Sequence, residues 1–265
     1  MRSIFSNLAV VFIFSLFLLT QQAYSKPVLS EKCVSTHYDE EIYIKMVIDG
    51  DTVILTDDRH IRLIGINTPE INHESINHSD PGALKAKASL EKLLKNQKSV
   101  HLTYGKEQFD RYKRTLAHLY LKNGLNIQAE LLRQGLAMPL RIAPNLALAD
   151  CYNTASLSAK HKNLGLWALP RYQTRHVHKL KVSEKGFHII SGKVERITES
   201  RSSIWLNLKN NVALRIHKDD LNYFNKNDLM SLQGKTIEAS GWLYNRNKQL
   251  RMRIRHELDL RVIDY

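Results

Sequence analysis

The sequence is poor in cysteine and short of negative charge. Only Cys33 and Cys151 occur in 265 residues. Neither belongs to the close Cys/His spacings that build zinc sites, which excludes zinc modules and disulfide-dense scaffolds. Acidic side chains number 26 against 39 Lys and Arg, leaving a formal charge of +13 at pH 7. A surplus of that size draws polyanions, chiefly nucleic acid or an anionic membrane or envelope surface. Beyond residue 25 no apolar run is long enough to span a bilayer. With 43% hydrophobic and 25% charged residues, the chain has material for one large or two small cores, which excludes a disordered polymer.

Residues 1–25 hold one Arg near the start, an apolar run from Ile4 to Leu19, and a polar stretch ending in Ala23, Tyr24 and Ser25. That order reads as a secretory signal peptide with small residues at the cleavage site, so the mature protein is expected to be secreted or periplasmic, with no membrane contact after cleavage. An uncleaved anchor helix is the alternative. In an oxidising compartment the two cysteines can form one bond, which would tie the N-terminal arm, residues 26–40, to a later helix; two free thiols are the alternative.

From Glu41 to Asn67 the pattern is that of strands, with Ile42, Ile44, Met46 and Ile48 alternating with Tyr43, Lys45 and Val47 before a turn at Asp49 and Gly50. Ala83, Ala86, Leu90, Leu93 and Leu94 recur at helical spacing up to about Asn96. Strand-like runs return at Ser99 to Tyr104 and Thr115 to Leu121, joined by the polar stretch Lys106 to Arg114. Asn126 can cap a helix that stops at Gly135, and Asn145 another that carries Leu148, Tyr152, Ala155 and Ala159. The expected architecture is mainly β with helices (α+β): a five-stranded barrel with three helices.

Three stretches carry chemistry: Asp49, Gly50, Asp51 and Thr52 at a strand turn; Arg62 through Glu70, reading RLIGINTPE; and Asp110 through Ala117, reading DRYKRTLA. Hydrolysis of a phosphodiester needs a cation for the phosphate, an oriented water, and fixed positive charge where the transition state gains negative charge. Asp51 and the carbonyl of Thr68 offer oxygen ligands to a hard divalent ion. Glu70, just past Pro69, can orient water or take its proton. Arg62 and Arg114 can each present a planar fork to phosphate oxygens. Taken singly, each piece also reads as a turn, a loop or surface charge; their order and spacing together favour the chemical reading.

The DGDT turn, the RLIGINTPE segment and the DRYKRTLA segment resemble the signature segments of the staphylococcal nuclease (thermonuclease) family, over about Glu41 to Trp167. The resemblance implies an OB-type five-stranded barrel with three helices, and calcium-dependent endonucleolytic cleavage of DNA and RNA that leaves 3'-phosphate ends. By motif position it implies Arg62, Glu70 and Arg114 as catalytic residues, Asp51 and the Thr68 carbonyl as calcium ligands, Asp49 in support, and Tyr112 in the nucleotide pocket. Asn67 stands where the family commonly has an aspartate; its amide oxygen can still coordinate, with one negative charge fewer. Lys113 stands where a glycine is common and adds charge beside Arg114, a further substrate contact. A non-catalytic binder of nucleic acid or another polyanion, with the same fold, is the alternative. DNA and RNA are the expected substrates, and no stable protein partner is implied.

Residues 41–169 are thus the expected catalytic domain and 170–186 a basic linker. Over 187–265 strand-like runs recur at Phe187 to Ile197, Ile204 to Leu208, Val212 to Ile216, Thr236 to Tyr244 and Leu250 to Ile254, with a short helix around Asp219 to Asn225. Five strands and one helix fit a second small OB-like barrel. From Leu250 onward, apolar residues alternate strictly with Arg251, Arg253 and Arg255, which could track successive phosphates of a single strand, with Trp205, Trp242 and Tyr244 stacking bases. The alternative is an ordinary solvated strand face.

Overall fold

The computed structural model describes residues 33–97 and 99–263. The expected signal peptide and residues 26–32 of the arm lie outside the described residues. Among the described residues no helix is long and apolar enough to cross a membrane.

In chain order the first half comprises β1 (Glu40–Ile42), β2 (Ile44–Val47), β3 (Thr52–Leu55), β4 (His60–Leu63), β5 (Ile66–Asn67), α1 (Ala83–Leu94), β6 (Val100–Phe109), β7 (Thr115–Leu121), α2 (Ile127–Arg133), β8 (Met138–Pro139) and α3 (Ala149–His161). A curled six-stranded sheet runs β1-β6-β7-β4-β3-β2, with β4 and β7 parallel and the other pairs antiparallel, while β5 and β8 pair separately. Alternation along the strands turns Val53, Leu55, Ile61, Leu63, Leu102 and Leu119 inward, where they meet Leu90 of α1, Leu131 and Leu132 of α2, and Tyr152 of α3. Asn126 caps α2, its side chain accepting from the Ala129 amide at 2.8 Å, worth about 1 kcal/mol.

Two expectations need correction here. β6 continues through Lys106 to Phe109, so most of the polar stretch is strand rather than connector. Asn145 does not cap α3, whose cap position is Leu148. Its amide instead accepts from the Glu107 N–H at 2.9 Å and donates to the Glu107 carbonyl at 2.9 Å, tying the loop before α3 to the far end of β6.

Cys33 and Cys151 form a disulfide across 118 residues of sequence, linking the arm to α3. The arm then runs into β1, which pairs with β6.

The second half comprises β9 (Arg175–His176), β10 (Gly186–Glu199), β11 (Ser203–Leu208), β12 (Val212–His217), α4 (Lys226–Met230), β13 (Thr236–Arg246), β14 (Gln249–Ile254) and β15 (Leu260–Val262). The ring β10-β11-β12-β14-β13 closes through a β13–β10 pairing, giving a five-stranded barrel with α4 between its third and fourth strands. This is the OB-type order. The expected linker is packed structure: β9 pairs with β10, Val177 is fully buried and Leu180 nearly so in the second core, and Arg175 holds Glu184. Basic composition misread the stretch because Tyr172, Val177 and Leu180 point inward, although Val182 stays exposed.

A third apolar cluster joins the two halves, formed by Met138, Ala159, Leu166, Trp167, Tyr172 and Ile189. Two ion pairs flank it, Arg141 to Asp259 at 2.7 Å and Lys160 to Glu238 at 2.7 Å. Side chains of the second barrel are thereby fixed relative to the first.

Candidate active site

The site is assembled at one rim of the curled sheet from the three stretches singled out in sequence. The turn between β2 and β3 is shaped by its own residues: the Asp49 carboxylate accepts from the Asp51 N–H at 3.0 Å. Gly50 is buried beneath α1, and a Cβ there would stand 2.7 Å from both the Ala86 Cβ and the Thr68 Cγ2. Only glycine lets the turn lie against α1 and the 68–70 loop together. A few residues on, Gly65 at φ +83 turns the chain from β4 into β5 where a Cβ would strike the Tyr152 ring at 2.5 Å.

Asp51 is buried and saturated with partners. One oxygen, Oδ2, accepts the Thr68 N–H at 2.8 Å and lies 3.0 Å from Nη2 of Arg62. Arg62 also donates to the Leu63 carbonyl at 2.7 Å and to the Asn67 Oδ1 at 3.2 Å. The Asn67 amide group donates onward to the Thr68 carbonyl at 3.0 Å. Asp51, Arg62, Asn67 and Thr68, four residues spread over 18 positions of sequence, thus form one connected network.

Charge in this corner is out of balance. Burial raises the Asp51 pKa above the usual carboxylate value, Arg62 opposes the rise, and Asp49 and Glu70 add to it. Glu70, although exposed at the surface, is also raised, by partial desolvation first and then by Asp49 and Asp80, with Arg62 and Arg114 opposing. Carboxylates crowded enough to raise one another's proton affinity stabilise either a proton or a cation. The donors facing this corner, carboxylates, the Thr68 carbonyl and the Asn67 amide oxygen, are all oxygen, the set a hard divalent ion takes. Among the described residues no group of three or more His, Cys, Asp or Glu side chains could hold a metal by itself. A metal here would therefore depend on main-chain, amide and phosphate oxygens, and the donor set fits that use.

The third stretch is the tip of the β6–β7 hairpin. Lys113 sits there at φ +64, the left-handed region that glycine occupies without strain, so the loop is tight and its lysine projects from the tip. Asp110 organises the tip: Oδ1 accepts the Tyr112 and Arg114 N–H groups at 2.9 Å each, and Oδ2 accepts Nε of Arg114 at 2.8 Å. This leaves both terminal nitrogens of Arg114 without a hydrogen-bond partner among the described residues. Tyr112 is 64% exposed, with the Arg111 guanidinium 4.6 Å and that of Arg114 5.6 Å from its ring centre. A cleft of about 500 Å³ lies between these parts, walled by Arg62, Asp110, Tyr112, Arg114 and, from the second barrel, Arg255.

Of the residues singled out in sequence, Asp49, Asp51, Arg62, Asn67, Thr68 and Glu70 share one corner, and Tyr112, Lys113 and Arg114 share the facing hairpin. The arginine track on the second barrel is not one surface. Arg251 lies with its guanidinium 4.8 Å from the centre of the Trp205 ring, Arg253 is held by Asp220 at 2.7 Å, and Arg255 follows the end of β14 and faces the cleft. Strict alternation placed Arg251 and Arg253 on the outer face, as expected, but pairing with a distant aspartate is not visible in alternation. Asp110 was missed as a positioning residue, although Asp110 and Arg114 bracket the tip four positions apart.

Residues 60–169 match the family model of the staphylococcal nuclease homologues. The chain is 34% identical over 134 residues to the thermonuclease of Staphylococcus intermedius, covering 48% of this chain and 76% of that protein. It is 32% identical over 134 residues to the thermonuclease of Staphylococcus hyicus, covering 49% of this chain and 78% of that one. An endonuclease of Bacillus subtilis matches at 28% identity over 143 residues, half of this chain but 12% of that much longer protein. With most of each thermonuclease aligned, at 32% identity or more, the chain belongs to the staphylococcal nuclease family.

Proposed function

We propose that the protein is a nuclease that hydrolyses phosphodiester bonds of DNA and RNA in the cleft of the first barrel, with calcium as its metal and 3'-phosphate ends as its products. One observation carries this reading: Arg62, paired with the buried Asp51 at 3.0 Å, and Arg114 wall the same cleft, beside the loop that bears Glu70. Two phosphate clamps at one cleft, with a base on the adjoining loop, are the parts that the reaction requires.

Glu70 takes a proton from the attacking water, whose oxygen forms the new bond to phosphorus. Its pKa, raised by partial desolvation and neighbouring carboxylates, moves it toward the working range of a general base. Arg62 and Arg114 hold the non-bridging oxygens as negative charge grows on them, and the bond from phosphorus to the 5'-oxygen breaks, that oxygen taking a proton from solvent. Asp51, the Thr68 carbonyl and the Asn67 amide oxygen are the ligands that would hold calcium, with Asp49 in support. When bound, the ion supplies positive charge at the phosphate and lowers the pKa of a coordinated water. Tyr112 offers a face to a base, and Lys113 adds charge at the hairpin tip. Arg251 on the second barrel adds electrostatic hold, while Arg253 is neutralised by Asp220.

The disulfide between Cys33 and Cys151 supports work in an oxidising compartment, consistent with residues 1–25 acting as a secretory signal. End-group analysis of digested oligonucleotides tests the chemistry. Fragments ending in 3'-phosphate, formed with calcium and not with a chelator, support the proposal; 5'-phosphate ends contradict it.

A further inference from the structure

Two cavities meet at Arg255. One is the cleft of about 500 Å³ walled by Arg62 and Arg114; the other, of about 320 Å³, lies between the barrels. They share Leu140, Ile142 and Arg255 as walls. The second has an aromatic side made of Phe187, Trp242 and Tyr244. Trp242 is 41% exposed, and Phe187 braces it edge-on with ring centres 5.2 Å apart. A half-exposed tryptophan held still by a neighbouring ring, at the mouth of a basic cavity of small-ligand size, is a stacking platform.

Arg255 differs from its neighbour in one respect. The Arg253 guanidinium is neutralised by two hydrogen bonds to Asp220, at 3.1 and 2.7 Å. No side-chain hydrogen bond or ion pair is made by Arg255 among the described residues, although it is half-buried. Burial and the nearby Arg253 both disfavour its charge, so its pKa is lowered despite Asp220 and Asp259. An anion placed there would relieve a guanidinium short of both water and counter-ion.

We propose that the junction of the two barrels is a second nucleotide subsite, in which Arg255 holds a backbone phosphate and Trp242 stacks the attached base of the same single strand that the first barrel cuts. The proposal rests on the nuclease reading of the first barrel. A base must leave a duplex to enter the junction cavity, so the substrate class is single-stranded nucleic acid, or strands that have opened locally. The second barrel then does more than add charge: it lengthens the binding register beyond the scissile phosphate.

The test measures binding in a Glu70→Gln background, so that the strand survives, with a dinucleotide, a dodecanucleotide and a duplex of that dodecanucleotide as probes. Expected is tighter binding of the single-stranded dodecanucleotide than of the other two, with quenching of tryptophan fluorescence. Trp242→Ala and Arg255→Ala should each remove about tenfold of the dodecanucleotide's affinity, the effect of one stacked base or one charged contact. Trp242→Phe should retain most of the affinity and lose the quench, which assigns the signal to this ring. Melting temperatures equal to the parent's establish that the variants are folded, and Arg255→Lys provides a second probe that keeps the charge and loses the fork. Folded Trp242→Ala and Arg255→Ala proteins that bind the dodecanucleotide as the parent does would overturn the subsite and leave the nuclease reading standing. Equal affinity for duplex and single strand would overturn it as well. A wild-type chain that neither binds nor cuts any nucleic acid would instead overturn the reading beneath it.

Discussion

Removing the disulfide should destabilise the whole molecule by a predictable amount. Cys33 and Cys151 close a loop of 118 residues that contains nearly all of the first barrel. Chain-entropy arguments put the cost of opening a loop of that length near a ceiling of about 5 kcal/mol, and native disulfides commonly give about 2–5 kcal/mol. The clean perturbation is the double change Cys33→Ala with Cys151→Ala, because Cys33 is only 3% exposed and serine would bury a hydroxyl there. With about 3 kcal/mol lost, and roughly 2–4 °C per kcal/mol for a chain of this size, Tm should fall by roughly 6–12 °C. The assay is thermal unfolding followed by circular dichroism, beside wild type with and without a reductant. Without the bond, the arm keeps its hydrogen bonds to β6 around Asp39 and the three-residue pairing of β1, but loses its tie to α3. Amide exchange at Glu40–Ile42 should therefore rise before global unfolding. A double variant that melts with the wild type would refute the loop-closure reasoning.

Three further outcomes are expected. His118 is buried, with Nδ1 2.8 Å from the Tyr152 hydroxyl, and burial lowers its pKa from 6.5 to about 4. The unfolded chain takes up the proton first as pH falls, so stability should drop between pH 6.5 and 4, by on the order of 3 kcal/mol. His118→Gln should flatten urea-unfolding free energies across that window; an unaltered slope would rule His118 out. Gly50→Ala should cost about 1–3 kcal/mol through overlap with Ala86 and Thr68, and should lower activity more than stability explains because Thr68 must shift; wild-type melting and turnover would contradict this. Asn67→Asp should tighten calcium binding in titration calorimetry, since it adds a negative ligand where Arg62 now donates to the amide oxygen. Unchanged affinity would place the ion elsewhere.

Much of the fold was legible because its signals are local. Period-two alternation located all five barrel strands of the second half to within a few residues, and the Asn126 cap and Gly135 stop bracketed α2. The failures share a cause in tertiary contacts. Asn145 carries the same local signal as Asn126, yet its amide is taken by the edge of β6. Pro170 to Gly186 is polar overall, but Val177 and Leu180 are the residues that decide where it packs. The pairing of Asp51 with Arg62 beside the loop that bears Glu70 matches what motif spacing suggested, whereas the Asp110 clamp depends on a turn geometry that composition does not encode. Arg255 reaches the cleft only because the Met138, Trp167 and Ile189 cluster sets one barrel against the other. The alternation that runs from β14 into Arg255 does not distinguish it from Arg253.

The most direct measurement is cleavage of single-stranded DNA and RNA by the folded chain with calcium and with a chelator, beside Glu70→Ala and Arg114→Ala. Calcium-dependent cleavage by wild type, reduced by about 100-fold or more in each variant, is the result expected if Glu70 supplies the base and Arg114 the phosphate clamp. A wild type that binds these strands and cuts neither at any calcium concentration, or variants that cut as wild type does, would contradict it.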